Sequence, residues 1–358
     1  LLVADGRLAL SDDVRRFLPE LPDYGHRITV NHLLTHTSGI RDWPPLQAMA
    51  GDDAEVLALI FRQRGLNFTP GDEFSYSNSG YVLLKEIVAR VSGQSFAEFT
   101  RRRIFEPLGM QHSEYVADVL QGSGAVARAY ERRGERWESF MRLGTRRGGG
   151  TVISTPGDLL IWNAALRDHR LGERVTAGLL ERAQLNNGRR LTYARGLMIN
   201  DVPGGPVISH SGGAAGFGSW LGRFTAHDLS VAVLCNFESV SASNLAARVA
   251  DLYLPPVDPQ SRPSGPRPMP GVDVAPRAGL YFDTKTGDPM RLGVEAGRLA
   301  VANGPPLMAV SAERMVPPRA SIFFRSEATV EFVFRGSDEF ALITTEGDTA
   351  LYRRAQPY

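Results

Sequence analysis

Three polar residues in the stretch "FSYSNSGYVLL", residues 74–84, are of types that can do chemistry. Tyr76, Ser77 and Asn78 follow a Pro-Gly turn and precede an apolar helical pattern, so we expect them in a loop that leads into a helix. Side chains at such a place can point into a cleft. They can also cap the helix, and on this stretch alone we favour capping by Ser77, Asn78 or Ser79.

A second stretch, "VISHSGGAAGFGSWLG", places a histidine and a serine directly before two glycines. It predicts a short strand, a glycine-rich turn and another strand, with four residues of interest between strand and turn: His210, Ser211, Gly212 and Gly213. Glycines let a ligand approach the backbone closely and leave N–H groups free to donate hydrogen bonds. A plain hairpin would explain the glycines alone, but it does not require His210 and Ser211 ahead of them.

Helices and strands alternate up to about residue 254 and would position both stretches. "GYVLLKEIVARVSG" has apolar residues at helical spacing and a stop at Gly93, and "STPGDLLIWNAAL" begins with a cap at Thr155. "NHLLTHTSGI" predicts a short helix ended by Gly39. "GFGSWLGRF" and "LSVAVLCNF" predict two strands joined by a tight turn through "TAHD", and "SNLAARVADLYL" predicts a last amphipathic helix.

Composition divides the chain into three parts. Residues 1–254 carry the alternating helices and strands. Residues 255–274 are rich in proline, serine and glycine, which predicts an interdomain linker with polyproline II character. Residues 275–358 carry short strand patterns at regular spacing, which predicts a small all-β barrel or sandwich.

Six stretches, taken in order, resemble the serine β-lactamase and penicillin-binding-protein superfamily, in its class C, esterase-like or D-aminopeptidase-like branch. They are "LLVADGRLALSDDVRRFLPELP", "ITVNHLLTHTSGI", "PGDEFSYSNSGYVLLKEIVARVSG", "FEPLGM", "GGGTVISTPGDLLIW" and "ISHSGGAAGFGS". The resemblance covers residues 1–254 and implies an α/β (α+β) fold, with an antiparallel sheet flanked by helices and an all-helical subdomain. The tail, residues 275–358, resembles more loosely the barrel-like accessory domains of D-aminopeptidase-like enzymes.

Two of the three motifs of this superfamily have counterparts here. The second motif, Tyr-x-Asn, matches Tyr76 and Asn78, and the third, Lys-Thr-Gly or His-x-Gly, matches His210 and Gly212. The first motif, Ser-x-x-Lys, carries the nucleophile and its lysine. It does not occur, since the only lysines are Lys85 and Lys285 and neither follows a serine at that spacing. We therefore expect the chain to begin just after this motif, about a dozen residues beyond it.

The resemblance implies a serine hydrolase that cleaves ester or amide bonds through an acyl-enzyme. Tyr76 would move the proton, and the backbone N–H of Gly213 would help to form the oxyanion hole. A phenol with an ordinary pKa near ~10 is a poor base at pH 7, so it needs a nearby positive charge. A lysine from the first motif would supply that charge.

Four residues would bind the substrate, namely Asn78, His210, Ser211 and Gly212. A histidine in the third motif is mostly neutral at pH 7, whereas a lysine there would carry a permanent charge for a substrate carboxylate. We therefore expect an esterase or a D-amino-acid peptidase or amidase rather than a true β-lactamase. The alternative is a non-catalytic β-lactamase-like protein that binds a peptide or a cell-wall fragment, and the sequence ahead of Leu1 would distinguish the two.

Three other patterns imitate catalytic motifs. "TKTG", residues 284–287, spells the lysine form of the third motif but lies between strand patterns of the tail, which predicts a turn. "HLLTH" places His32 and His36 four residues apart, as in a zinc protease, but Leu33 replaces the required glutamate, so we interpret His36 as structural or at the edge of a cleft. "SHSGG" approaches a nucleophile elbow, but Ser209 replaces its first glycine and a strand follows instead of a helix.

Composition sets further bounds. The chain has 358 residues, a formal net charge of +1 and 43% hydrophobic residues, which is typical of a soluble globular protein and implies no nucleic-acid partner. No apolar run is long enough to span a membrane. The single cysteine, Cys235, forms no internal disulfide and leaves both a periplasmic or secreted and a cytoplasmic location open. We expect a small ester, amide or peptide substrate, no cofactor and no metal, and the oligomeric state stays open.

Overall fold

The computed structural model of the chain describes most of its residues: 1–43, 55–116, 126–139, 151–202, 204–214, 216–237, 240–255, 268–285, 287, 289–301, 306–316, 331–343 and 349–355. The chain divides into two compact units, Leu1–Ala246 and Ala247–Tyr358. The predicted linker at 255–274 falls largely outside the described residues, and the boundaries at 254 and 275 stay a prediction.

The first unit mixes helices with short strands, and its elements are as follows; the last of its helices, α8, continues past Ala246 into the second unit. The helices are α1 Val30–Leu34, α2 Val56–Phe61, α3 Asn78–Ser92, α4 Phe96–Thr100, α5 Glu106–Leu108, α6 Pro156–Arg167, α7 Glu173–Leu180 and α8 Ala242–Ala250, with a π-helical turn Arg101–Phe105 between α4 and α5. The strands are β1 Glu114–Val116, β2 Tyr130–Arg133, β3 Arg136–Ser139, β4 Thr151–Ile153, β5 Met198–Val202, β6 Gly205–Ala214, β7 Phe217–Phe224 and β8 Leu229–Cys235.

Helix α3 is the main helix of the helical part of the first unit. It buries Val82, Leu83 and Ile87 in an apolar cluster with residues of α1, α2 and the N-terminal segment. Its last turn is closed by Gly93, whose φ of 73° is the left-handed conformation that glycine adopts without strain. The predicted helix and its stop are therefore confirmed.

Strands β5 to β8 form a four-stranded antiparallel sheet in the order β5-β6-β7-β8. Helix α6 packs on β7 and β8, and Asn163 of α6 donates to the carbonyl of Gly222 on β7 at 3.2 Å. Thr155 caps α6 by accepting from Asp158 N, as predicted. The strands β7 and β8 and the turn between them, which ends at Asp228, are also confirmed.

Two sequence-based expectations about the ends of elements were wrong. Helix α1 ends at Leu34 rather than at Gly39, because His36 already takes the left-handed conformation with a φ of 56°. The four residues 210–213 do not precede the glycine-rich turn as a loop but belong to β6, which pairs with β7 as far as Ala214↔Phe217. Only residues 215–216 separate the two strands.

The second unit is one antiparallel sheet of eight strands in the order β11-β10-β9-β16-β15-β14-β13-β12. Its strands are β9 Gly279–Asp283, β10 Pro289–Glu295, β11 Arg298–Val301, β12 Met308–Ala309, β13 Arg314–Val316, β14 Glu331–Arg335, β15 Glu339–Ile343 and β16 Thr349–Arg354. A bridge between Ala300 and Pro306 links β11 to the residues that lead into β12, so the sheet nearly closes into a barrel. The interior is apolar and centred on Tyr281, Phe334 and Phe340.

The all-β architecture predicted for the tail is therefore confirmed. The sequence missed the two short strands β12 and β13, and the predicted strand "SIFFRS" lies outside the described residues. The imitation motif "TKTG" follows β9 directly, where Gly287 N donates to the carbonyl of Asp283 at 2.9 Å and forms a turn, as predicted. It is not part of the first unit.

A substitution at Gly222 can show how tightly β7 is packed. A Cβ on Gly222 would lie 2.0 Å from the ring of the buried Trp220, whereas a Cβ on Gly218 of the same strand would meet nothing closer than 3.5 Å. We expect Gly222→Ala to lower the free energy of unfolding by about 1–3 kcal/mol, the usual cost of overpacking. Gly218→Ala is the matched control and should cost less than about 1 kcal/mol. Urea unfolding of both variants measures the difference, and equal costs would contradict this account of the packing.

Candidate active site

The structure brings Tyr76 and His210 together. Tyr76 lies in the loop before α3 and His210 lies on β6, and their ring centroids are 6.2 Å apart. Two further rings complete the group: His36 lies 4.1 Å from Tyr76, and Tyr193 lies 4.8 Å from His36 and 6.0 Å from His210. We call these four residues the aromatic cluster.

His36 lies at the bottom of this cluster and is only 1% exposed. Its Nδ1 accepts a hydrogen bond from the backbone N–H of Ser77 at 3.1 Å, and its carbonyl accepts from Ser75 N at 3.0 Å. Its Nε2 lies 3.0 Å from the hydroxyl of Tyr193. His36 thus holds the Tyr76 loop by backbone hydrogen bonds on both sides of the tyrosine, while its ring lies against the phenol.

Asp42 fixes Asn78 and the beginning of α3. Its carboxylate accepts from Asn78 Nδ2 at 2.9 Å and from Ser79 N at 3.2 Å. Ser77, the residue that precedes the helix, makes no capping hydrogen bond with its side chain. The cap of α3 is therefore supplied by Asp42 from another segment, and the expected capping by Ser77, Asn78 or Ser79 is wrong. With Nδ2 held by the carboxylate, the amide oxygen of Asn78 is the atom left to accept from a ligand.

The third motif lies on a strand edge. Strand β6 continues five residues beyond Ser209, the last residue that pairs with β5. His210 is half-buried in this extension, and Ser211, Gly212 and Gly213 are exposed. A Cβ on Gly212 would lie 2.5 Å from the hydroxyl of Ser219 on β7, so a larger residue here would require that hydroxyl to rotate away. Within the described residues the extension pairs with β7 alone, and its other backbone edge has no strand beside it.

Burial controls the protonation of the cluster. It lowers the pKa of His36 to about 3, helped by the nearby His210, and it also lowers the pKa of His210. Both imidazoles are therefore neutral at pH 7. Burial and then the Asp42 carboxylate raise the pKa of Tyr76, although its side chain is 48% exposed and solvent weakens such effects. A phenolate at Tyr76 requires a nearby positive charge, and none of His36, His210 and Asp42 supplies one.

Sequence reasoning singled out six residues, and the structure puts them in two places. Tyr76 lies in the loop before α3 and Asn78 is the first residue of that helix, while the extension of β6 carries His210, Ser211, Gly212 and Gly213. Sequence reasoning missed Asp42 and Tyr193. No local pattern marks either residue, because each acts on a residue distant in the chain. Tyr193 comes from the segment before β5 and is 4% exposed.

The zinc-like pattern "HLLTH" does not place its two histidines on one helix face. Nδ1 of His32 accepts from Thr29 N at 3.3 Å as part of the capping box of α1. His36 lies beyond the end of that helix with both ring nitrogens in hydrogen bonds. Among the residues that the structure describes, no three His, Cys, Asp or Glu side chains form a group that could hold a metal ion.

A tyrosine-x-asparagine loop at the start of a helix and a histidine-x-glycine strand that faces it define a protein of the serine β-lactamase and penicillin-binding-protein superfamily. The sequence comparison agrees: residues 1–254 match the Beta-lactamase family, and the chain belongs to it.

Several characterised proteins are similar to this chain. Penicillin-binding protein 4* of Bacillus subtilis is 30% identical over 294 residues, which are 74% of this chain and 64% of that protein. A D-aminopeptidase of Cereibacter sphaeroides is 27% identical over 353 residues, 92% of this chain and 63% of that enzyme. The D-aminopeptidase of Brucella anthropi is 26% identical over 68% of this chain and 48% of the enzyme. The chain thus spans less than two thirds of the length of each of these relatives.

Solved structures show the same fold. The octameric penicillin-binding protein homologue from Pyrococcus abyssi superposes with a TM-score of 0.63 at 23% identity, over 98% of this chain and 84% of that one. A D-stereospecific amidohydrolase from Streptomyces sp. gives 0.57 at 24% identity, over 68% of this chain and 79% of that one. None of the helices described here has the length and apolar character needed to cross a bilayer.

The cap of α3 can be tested with two substitutions. Asp42→Ala removes the carboxylate that accepts from Asn78 and Ser79, and we expect it to lower the free energy of unfolding by about 1–2 kcal/mol, as for other lost caps. Ser77→Ala should cost less than about 0.5 kcal/mol, because within the described part of the chain the buried Ser77 hydroxyl has no partner to lose. Urea unfolding at pH 7 measures both. If Ser77→Ala costs as much as Asp42→Ala, the serine is the cap.

Proposed function

We propose that this chain supplies the tyrosine, asparagine and histidine motifs of a serine hydrolase that cleaves amides of N-terminal D-residues or simple esters through an acyl-enzyme. The names of the similar proteins support the reaction class, since they include D-aminopeptidases and a penicillin-binding protein. The structure of a D-stereospecific amidohydrolase shares the fold. The non-catalytic alternative makes the same cleft a binding site for a peptide or cell-wall fragment.

One observation carries the proposal. A half-exposed phenol, Tyr76, faces a neutral histidine, His210, whose strand leaves a backbone edge open beside it. An extended acyl group can lie along that edge and pair with the backbone, as peptides do on sheet edges. Its carbonyl would then lie between the phenol and the exposed Gly212 and Gly213, where proton transfer and oxyanion binding are both needed.

Each residue has a role that its position supports. Tyr76 would move the proton between nucleophile and leaving group, and its raised pKa shows why it requires a cationic partner. The backbone N–H of Gly213 would donate to the oxyanion, and such a donor is worth about 3–4 kcal/mol. Asn78, oriented by Asp42, would accept from an N–H of the acyl part through its amide oxygen. Ser211 and Gly212 would line the bound acyl group.

The nucleophile and its lysine would come from a Ser-x-x-Lys segment, a pattern that these 358 residues do not contain. That lysine would supply the positive charge which favours the tyrosinate and would hold the serine ready for attack.

The first test uses the 358-residue chain itself. Without a Ser-x-x-Lys motif it should turn over neither p-nitrophenyl esters, nor nitrocefin, nor a D-alanyl anilide above the background rate. Turnover that Tyr76→Phe abolishes would show that another residue of this chain serves as nucleophile.

The second test uses a version of the protein that carries a Ser-x-x-Lys segment ahead of Leu1. We expect kcat/KM to rank the D-alanyl anilide and a short nitrophenyl ester above nitrocefin, because the neutral His210 offers no cation to a carboxylate. Tyr76→Phe should lower kcat by about 10²–10⁴-fold, the usual contribution of general acid–base catalysis. His210→Lys should shift the ranking towards nitrocefin by about 10-fold or more, since a charge-assisted hydrogen bond contributes about 1.5–3 kcal/mol.

A preference of the unmodified protein for nitrocefin would overturn the proposed substrate class. Ligand binding without turnover in this version would favour the non-catalytic alternative.

A further inference from the structure

We propose that His36 and Tyr193 are positioning residues that hold His210 as a neutral imidazole through a hydrogen-bond chain whose two ends fix its direction. The chain runs from the backbone N–H of Ser77 through His36, Tyr193 and His210 to the backbone carbonyl of Ser211. The inference deepens the proposed function, because it names what keeps the third motif uncharged and oriented.

The first end of the chain fixes His36. A backbone N–H can only donate, so the bond from Ser77 N at 3.1 Å requires a lone pair on Nδ1 of His36. In the neutral ring the proton is then on Nε2. Nε2 lies 3.0 Å from the Tyr193 hydroxyl and therefore donates to the phenol oxygen.

The other end fixes His210. A carbonyl can only accept, so the contact between Nδ1 of His210 and the carbonyl of Ser211 requires a proton on Nδ1. In the neutral ring, Nε2 then carries a lone pair. Nε2 lies 3.3 Å from the Tyr193 hydroxyl, which is the remaining donor of the chain.

Tyr193 joins the two halves. Its oxygen accepts from His36, so its own proton must go to another acceptor. In the described part of the chain two acceptors are within reach, Nε2 of His210 and the hydroxyl of Tyr81. The Tyr81 hydroxyl donates its own proton to the carbonyl of Leu34 at 2.9 Å. An imidazole nitrogen is a far stronger base than a phenol oxygen, so His210 takes the proton.

The surroundings reinforce this state. Among the described residues, the titratable side chains that face His210 are Tyr76, Tyr193 and His36, and all three are neutral at pH 7. Across the sheet, His210 is opposite the apolar Leu221 of β7. A hydrogen bond donated to Nε2 stabilises the neutral ring further, because protonation would remove the accepting lone pair.

The consequence concerns substrate choice. With Nδ1–H bound to Ser211 and Nε2 bound to Tyr193, His210 has neither a positive charge nor a free N–H for a ligand. A substrate carboxylate therefore receives no charge-assisted hydrogen bond from the third motif, and recognition along β6 relies on backbone groups. The same chain places His36 beneath Tyr76, so one set of bonds orients both motifs.

The test needs no catalytic activity. In ¹⁵N-histidine-labelled 358-residue chain, long-range ¹H–¹⁵N spectra report the tautomer and the titration of each imidazole. The chain has seven histidines, so His36 and His210 are assigned by loss of their signals in His36→Asn and His210→Gln. Asn tolerates the left-handed backbone at position 36. We expect the Nε2–H tautomer at His36 and the Nδ1–H tautomer at His210, and no titration of His36 above pH 5.

Two matched variants then test the contributions of Tyr193 and Tyr81 separately. Tyr193→Phe keeps the ring and removes the hydroxyl, so the pKa of His210 should rise towards its ordinary range. Tyr81→Phe removes the competing acceptor and should leave the pKa of His210 unchanged or lower it. A comparison of thermal unfolding confirms that both variants are folded.

An Nε2–H tautomer at His210 in the unmodified chain would overturn the inference. So would an unchanged titration of His210 in Tyr193→Phe, because a tyrosine that only packs would give that result. In the version with Ser-x-x-Lys, the KM for nitrocefin at pH 6 should fall in Tyr193→Phe and not in Tyr81→Phe. If that version proves inactive, the proposed function fails while the spectra still decide the hydrogen-bond chain.

Discussion

The hydrogen bond from Ser77 N–H to the buried ring of His36 is the interaction on which the site depends. It joins the segment after α1 to the loop before α3. A left-handed backbone at His36 costs roughly 1–3 kcal/mol in a residue other than glycine, so the surrounding bonds must compensate for it. Hydrogen bonds to both ring nitrogens of His36 compensate for this cost, together with the bond that its carbonyl accepts from Ser75 N. The position of Tyr76 follows from that anchor.

The rest of the first unit supports this anchor with ordinary packing. Helix α3 is held by its buried apolar face and by Asp42 at its N-terminus, where a carboxylate also complements the helix dipole. Burial raises the pKa of Asp42, and the N–H groups that it accepts from oppose that effect. The N–H groups that donate to the Asp42 carboxylate stabilise its charge, and the carboxylate in turn holds those groups in place. Asn78 carries one of them, so the start of the helix and the second motif are ordered together.

Features with local signals could be predicted from the sequence. Gly93 ends α3, Thr155 caps α6, and β7 and β8 alternate or run apolar between clear turns, so each was correct. Features that depend on partners distant in the chain could not be predicted from the sequence. The early end of α1 follows from the His36 conformation, which Ser77 stabilises, and strands β12 and β13 are too short to show a period.

The two motif stretches could be recognised for the same reason and with the same limit. Their residue types stand close together in the chain and match a known family pattern, so Tyr76 and His210 could be named. Asp42 and Tyr193 are single residues in unremarkable stretches, and only the folded chain shows what they touch.

The extension of β6 has a consequence for the behaviour of the protein in solution. Five consecutive residues have no strand on one edge within the described part of the chain, and such an edge is a template on which a strand of a second polypeptide can add, including another copy of this chain. Two of the five are glycines, Gly212 and Gly213, which favour extended pairing less than most residues do. The two glycines that expose the backbone of β6 therefore also limit self-association through the same edge.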